Sequence, residues 1–102
     1  MTYRFIAPAL EEYELSLLYY LEEASAKVAA DFDEEVMDAL ASVCRKPFRD
    51  REMIPGFRER QLQRFPFALL YTVEGEEIIV FALKHHKRKP DYWKSRIGNS
   101  KT

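Results

Sequence analysis

The chain has 102 residues, 47% of them hydrophobic and 14% aromatic, which fits one domain around one core and is too apolar for disorder. Its longest uninterrupted apolar run, Ile78 to Leu83, is far too short to span a membrane. The net charge of −1 divides into −8 over residues 1–44 and +7 over residues 45–102, a split that fits either a polyanionic partner for the second half or Glu-rich helices and Arg-rich strands kept solvated.

Tyr3-Arg4-Phe5-Ile6 is a short β-prone run, and Pro8 suits the first turn of a helix. Leu10, Tyr13, Leu17, Tyr20, Leu21 and Ala24 recur at steps of three and four, so one apolar stripe is expected on a helix over 8–24. Tyr20 belongs to that stripe, whereas Tyr19 faces another way. Ser25 is placed to cap a second helix over 26–46. Val28, Phe32, Val36, Ala39, Leu40 and Val43 form its stripe, and Cys44 reads as a small packing residue. The short joint predicts an antiparallel helical hairpin.

Pro47 ends that hairpin and residues 47–56 read as a loop. Residues 57–64 predict a strand with a poor apolar pattern, hence an edge strand. Pro66 donates no ladder hydrogen bond, which fits an edge or a bulge. Phe67, Leu69, Tyr71 and Val73 line one face of the next strand. Ile79, Phe81 and Leu83 line one face of the last strand, with Ile78, Val80 and Ala82 on the other, so that strand is expected in the sheet interior. Glu74-Gly75 closes the hairpin between them, with Gly75 suited to positive φ. Residues 97–102 read as a frayed tail. The order is β-αα-βββ-(α): an α+β domain over 1–102, with the helical hairpin on one face of a mostly antiparallel sheet. The core is expected to bury Phe32, Leu40, Leu69 and Phe81 between helices and sheet. The other face is left partly open, a place for a basic groove.

Met1 to Leu10 lacks a charged segment followed by an apolar one, so no signal peptide is expected. The lone Cys44 cannot form an internal disulfide, and both readings point to the cytoplasm. No spacing suggests a zinc site or a nucleotide loop, so no metal or cofactor is expected.

Two groups of residues carry candidate chemistry. Arg58, Arg60 and Arg64 have even spacing, and their guanidinium groups suit bidentate binding of phosphates or carboxylates as well as guarding of a strand edge. His85, His86, Lys87, Arg88 and Lys89 form a dense cationic run just after the last strand, where loops on rigid scaffolds carry function. His85 titrates near neutrality and suits a general base, or a local hydrogen bond. Pro90, Tyr92 and Trp93 suit the pinning of the C-terminal segment onto the domain.

The stretch from Arg60 to Arg96, RQLQRFPFALLYTVEGEEIIVFALKHHKRKPDYWKSR, resembles the RelE/ParE family of type II toxin–antitoxin toxins, most closely its ParE-like, plasmid-stabilisation branch. An arginine-bearing strand, a Phe65-Pro66-Phe67 strand start and a closing H-x-x-R-x-P-x-Y-W from His85 to Trp93 occur in the family's order. The resemblance covers nearly the whole chain and implies the same fold. In ribonuclease-type relatives an Arg in the loop after the last strand and a nearby aromatic act at the scissile phosphate. Arg88 matches that Arg, and Tyr92 approximates the aromatic. The candidate catalytic set is therefore Arg60, Arg64, His85, Arg88 and Tyr92. The candidate surface for target or antitoxin is Arg58, Arg60, Arg64, Lys87, Arg88 and Lys89. The chain departs from the ribonuclease branch at Ala68, where those relatives usually carry an Arg, and in the lysines missing from the preceding strand. The resemblance thus implies a toxin that inhibits DNA gyrase by binding and is neutralised by a cognate antitoxin. The alternatives are a ribosome-dependent mRNA endoribonuclease and an inactive member that only binds its antitoxin. Either a homodimer or a toxin–antitoxin hetero-oligomer is compatible with it.

Overall fold

The computed structural model describes residues 1–98. The elements are β1 (Thr2–Phe5), α1 (Ala7–Glu23), α2 (Ala26–Arg45), β2 (Glu52–Ile54), β3 (Phe57–Gln61), β4 (Phe67–Glu74), β5 (Glu77–His85) and a closing 3-10 turn, η1 (Tyr92–Arg96). The strands form one sheet in the order β1-β5-β4-β3-β2. β1 runs parallel to β5, and the other pairings are antiparallel. This is the expected α+β architecture, with the helical hairpin packed on one face of the sheet.

Local chemistry sets the boundaries. Pro8 sits in the first turn of α1, and the Ser25 hydroxyl caps α2 by accepting from the Val28 N–H at 3.1 Å. Such a cap satisfies one of the orphan donors at a helix start. Gly75 takes a φ of +61° in the tight connection between β4 and β5, a conformation that L-residues with a Cβ avoid. In α2 the stripe is as read from sequence: Phe32, Val36, Ala39, Leu40 and Val43 are buried.

Three expectations need correction. First, α1 turns Ala9, Tyr13, Ser16, Leu17 and Tyr20 toward the protein, while Leu10 and Leu21 are exposed. The helix carries apolar residues on more than one side, so periodicity alone could not choose the inward face. Second, the loop over 47–56 contains β2, which pairs outside β3. β3 is therefore not the edge strand, and it stops at Gln61, leaving Pro66 in the β3–β4 connection. Third, pairing between β4 and β5 slips between Leu70 and Tyr71, so that Leu70 faces Ala82 while Tyr71 faces Val80. Phe81 is the extra residue of this bulge. The slip breaks strict alternation: Phe81 joins the face opposite the helices, where it packs edge-on against Phe57, with ring centroids 5.0 Å apart.

Consequently the face away from the helices is not open at its centre. Trp93, 2% exposed, covers it and lies 5.5 Å from Phe57. Its indole N–H donates to the Pro90 carbonyl at 2.9 Å. Pro90 and Trp93 thus pin the C-terminal segment as their chemistry suggested. Of the expected tail, Ile97 and Gly98 follow η1, and residues 99–102 lie outside the described residues.

Candidate functional site

β1 ends at Phe5, and the Ile6 N–H makes the last backbone bond to β5, at the Val80 carbonyl. Past that point the outer edge of β5 has lost its partner strand. Two side chains supply the missing partners. The Glu12 carboxylate, from α1, accepts the Leu83 N–H at 3.1 Å, and Arg96 donates to the Phe81 carbonyl at 2.8 Å. Glu12 also accepts from both Arg96 terminal nitrogens, at 3.0 and 2.9 Å, and from the Tyr92 hydroxyl at 2.6 Å. Arg88 lies 3.8 Å from the same carboxylate and 3.8 Å above the Tyr92 ring, with Arg96 5.0 Å from that ring. Such stacking is favourable because the ring face is electron-rich. The result is one carboxylate surrounded by two arginines and a phenol.

A second carboxylate organises the start of β3. Asp50 accepts from Arg60 Nε at 2.9 Å and from the Tyr71 hydroxyl at 2.6 Å. Arg58 donates to the carbonyls of Phe48 and Asp50. Arg60 pairs with Leu69 across the ladder, and Phe67, two residues earlier, packs on Phe32 of α2. Arg58 and Arg60 therefore share the helix-side face and are committed to the loop below α2. Arg64 stands apart. Glu35 on α2 accepts the N–H groups of Gln63 and Arg64, latching the β3–β4 connection, and the Arg64 side chain remains 58% exposed. Phe65 and Phe67 both pack on Phe32, so the Phe-Pro-Phe sequence anchors this connection to the hairpin.

At the end of β5, His85 meets Phe67 edge-on, and its Nδ1 accepts the Lys87 N–H at 3.0 Å. Burial first, then the charges of Lys87 and His86, lower its pKa below the ordinary histidine value. It is neutral at pH 7. His86 contacts Gln61 at 2.8 Å, and Lys84 pairs with Glu59. Lys87, Arg88 and Lys89 are exposed. Ala68 is fully buried opposite Lys84 and Gln61.

The candidate catalytic residues thus have separate partners: Asp50 for Arg60, Glu35 for Arg64, Phe67 for His85, and Glu12 for Arg88 and Tyr92. Glu12, Asp50 and Glu35, which hold these positions, were not singled out from the sequence. A lone acid on a Glu-rich helix carries no local signal of its partners. Among the described residues no group of three or more His, Cys, Asp or Glu is arranged to hold a metal ion, and no helix is long and apolar enough to cross a membrane.

The two carboxylates also predict an alkaline limit. Burial, then the hydrogen bond to Asp50 and its charge, raises the Tyr71 pKa well above the ordinary value near 10. Burial and Glu12 do the same to Tyr92. Raised folded values mean that their contribution is complete below about pH 10 and is lost as pH climbs toward the folded values, because the unfolded phenols ionise first. The melting temperature should hold from neutrality to about pH 9 and fall above about pH 10. Ultraviolet titration should show these two phenols ionising only with unfolding. Ionisation of all six tyrosines in a still-folded protein would contradict these assignments.

A helical hairpin on a five-stranded mixed sheet, with the C-terminal segment folded back on it, is the architecture of RelE/ParE-type toxins. The family model described as ParE toxin of type II toxin-antitoxin system, parDE, matches residues 3–90. The chain belongs to this ParE toxin family. Among solved structures, it is similar to one described as a chromosomal ParDE TA system from P. aeruginosa, with a TM-score of 0.72 and 17% identity over 83% of this chain and 95% of that one. At that identity the likeness concerns the fold. A comparison with curated proteins finds no match.

Proposed function

We propose that this ParE-type toxin acts in the cytoplasm by stoichiometric binding of a cellular target, DNA gyrase, and is neutralised by a cognate antitoxin. The gyrase assignment follows the family resemblance. The observation that carries the non-catalytic reading is the separation of the would-be catalytic residues. General acid–base cleavage of RNA needs a base at the ribose hydroxyl and oriented cations at the phosphate. Here Arg60 is bound to Asp50 and the Tyr92 hydroxyl to Glu12. Ala68 offers no cation, and its buried position in the sheet has no room for one without rearrangement.

The test sets two assays side by side. Purified toxin should inhibit supercoiling by gyrase in proportion to its concentration, and translating ribosomes should show no toxin-dependent mRNA cleavage. Codon-dependent cleavage that disappears in Arg88→Ala would replace this reading with the endoribonuclease one.

A further inference from the structure

Leu15, Leu18 and Tyr19 stand on the outward side of α1 at i, i+3 and i+4, and are 58%, 47% and 60% exposed. Single exposed apolar residues are ordinary, but three in helical register form a stripe. The stripe adjoins a groove of about 350 Å³ lined by Leu15, Ser16, Tyr19, Tyr20, Phe67 and His85. The surface therefore has both an apolar ridge and a recess deep enough for a bulky side chain.

Charge selects the occupant. Glu11, Glu14, Glu22 and Glu23 are all exposed. Glu11 lies one turn before Leu15 and Glu22 one turn after Leu18, so carboxylates close the stripe at both ends. α1 contains no Lys or Arg, and none of these four carboxylates has a hydrogen bond or ion pair among the described residues. A second copy of the chain docking through α1 would bring the same carboxylates face to face, which is repulsive. A helix with leucine-like residues on one side and Lys or Arg along its margins would fill the recess and neutralise the rim. We propose that the outward face of α1 and its groove form the docking surface for a cationic amphipathic helix of the antitoxin. This inference rests on the toxin–antitoxin reading above. It also reverses the polarity expected from the sequence, in which an acidic segment docks on a basic sheet face.

The test uses the full chain and two helical peptides, one of Leu and Lys and one of Leu and Glu with the same apolar pattern. In an NMR titration the Leu/Lys peptide should shift the amides of Leu15 to Tyr20 and His85, bind about tenfold or more tighter than the Leu/Glu peptide, and weaken as salt rises. Leu15→Ser with Leu18→Ser should weaken it about tenfold or more. Glu11→Gln with Glu14→Gln should flatten the salt dependence. Equal binding of both peptides, shifts confined to residues 86–89, indifference to the leucine substitutions, or self-association of the chain through α1 overturns the proposal. The same variants are then titrated with the product of the adjacent reading frame. If that product binds wild type and the leucine variant equally, the surface assignment falls while the toxin–antitoxin reading stands. If it does not bind at all although the peptide maps to α1, the antitoxin reading falls, and the named occupant with it.

Discussion

Glu12→Ala is expected to destabilise the protein by about 3–5 kcal/mol, the usual cost of removing one partner from a largely buried ion pair. The Glu12 and Arg96 side chains are only 14% and 16% exposed. Without the carboxylate, Arg96 keeps a charge with poor access to water, the Tyr92 hydroxyl loses its acceptor, and the Leu83 N–H has no ladder partner. Each unsatisfied buried group adds its own desolvation penalty. A domain of this size is stable by about 5–15 kcal/mol, so the loss is a large share of the total. Urea unfolding measures it directly, and limited proteolysis should cut the C-terminal segment sooner in the variant. A change below about 1 kcal/mol would mean that the cluster contributes no more than a surface ion pair.

Phe81→Ala should cost about 3–5 kcal/mol by the cavity it leaves. The cavity would open between Phe57, Trp93 and the sheet, not beneath the helices. The location is testable apart from the magnitude: the fluorescence of the single tryptophan should report the change while the helical signal persists. An unchanged melting temperature would refute the packing assignment. Arg96 contacts both Glu12 and the Phe81 carbonyl. The two substitutions share this partner, so their combined cost should fall short of the sum.

Where one principle acted alone, the sequence was readable. The α2 stripe, the Ser25 cap, the Gly75 turn and the pinning role of Trp93 each follow from a local rule, and all are present. Legibility failed where two signals competed or where a distant contact decided. α1 has apolar residues around much of its circumference, so the choice of Ala9 over Leu10 as an inward residue belongs to the packing of β1 and β5 against it. β2 is three residues long and its Glu-Met-Ile sequence has no alternation to detect. The bulge at Phe81 leaves no mark in the run Ile78 to Leu83, where every residue is apolar. Among the site residues, the motif placed Arg88 and Tyr92 in one segment, and the structure brings them together. Their shared partner, Glu12, lies 80 residues before Tyr92.

The ion pair between Glu12 and Arg96 joins positions 84 apart in the chain, and so it has a bearing on synthesis. A ribosome that has made β1 and both helices has made nothing that can finish the sheet. The outer edge of β5 is completed only when the last few residues have cleared the exit tunnel. Contacts of such long sequence separation are slow to form, since the loop between them must close first. A nascent chain of this protein therefore stays incomplete until translation is essentially over, and folding is a post-release event. For a toxin, that delay gives a partner already present in the cell time to meet the chain before its final shape exists.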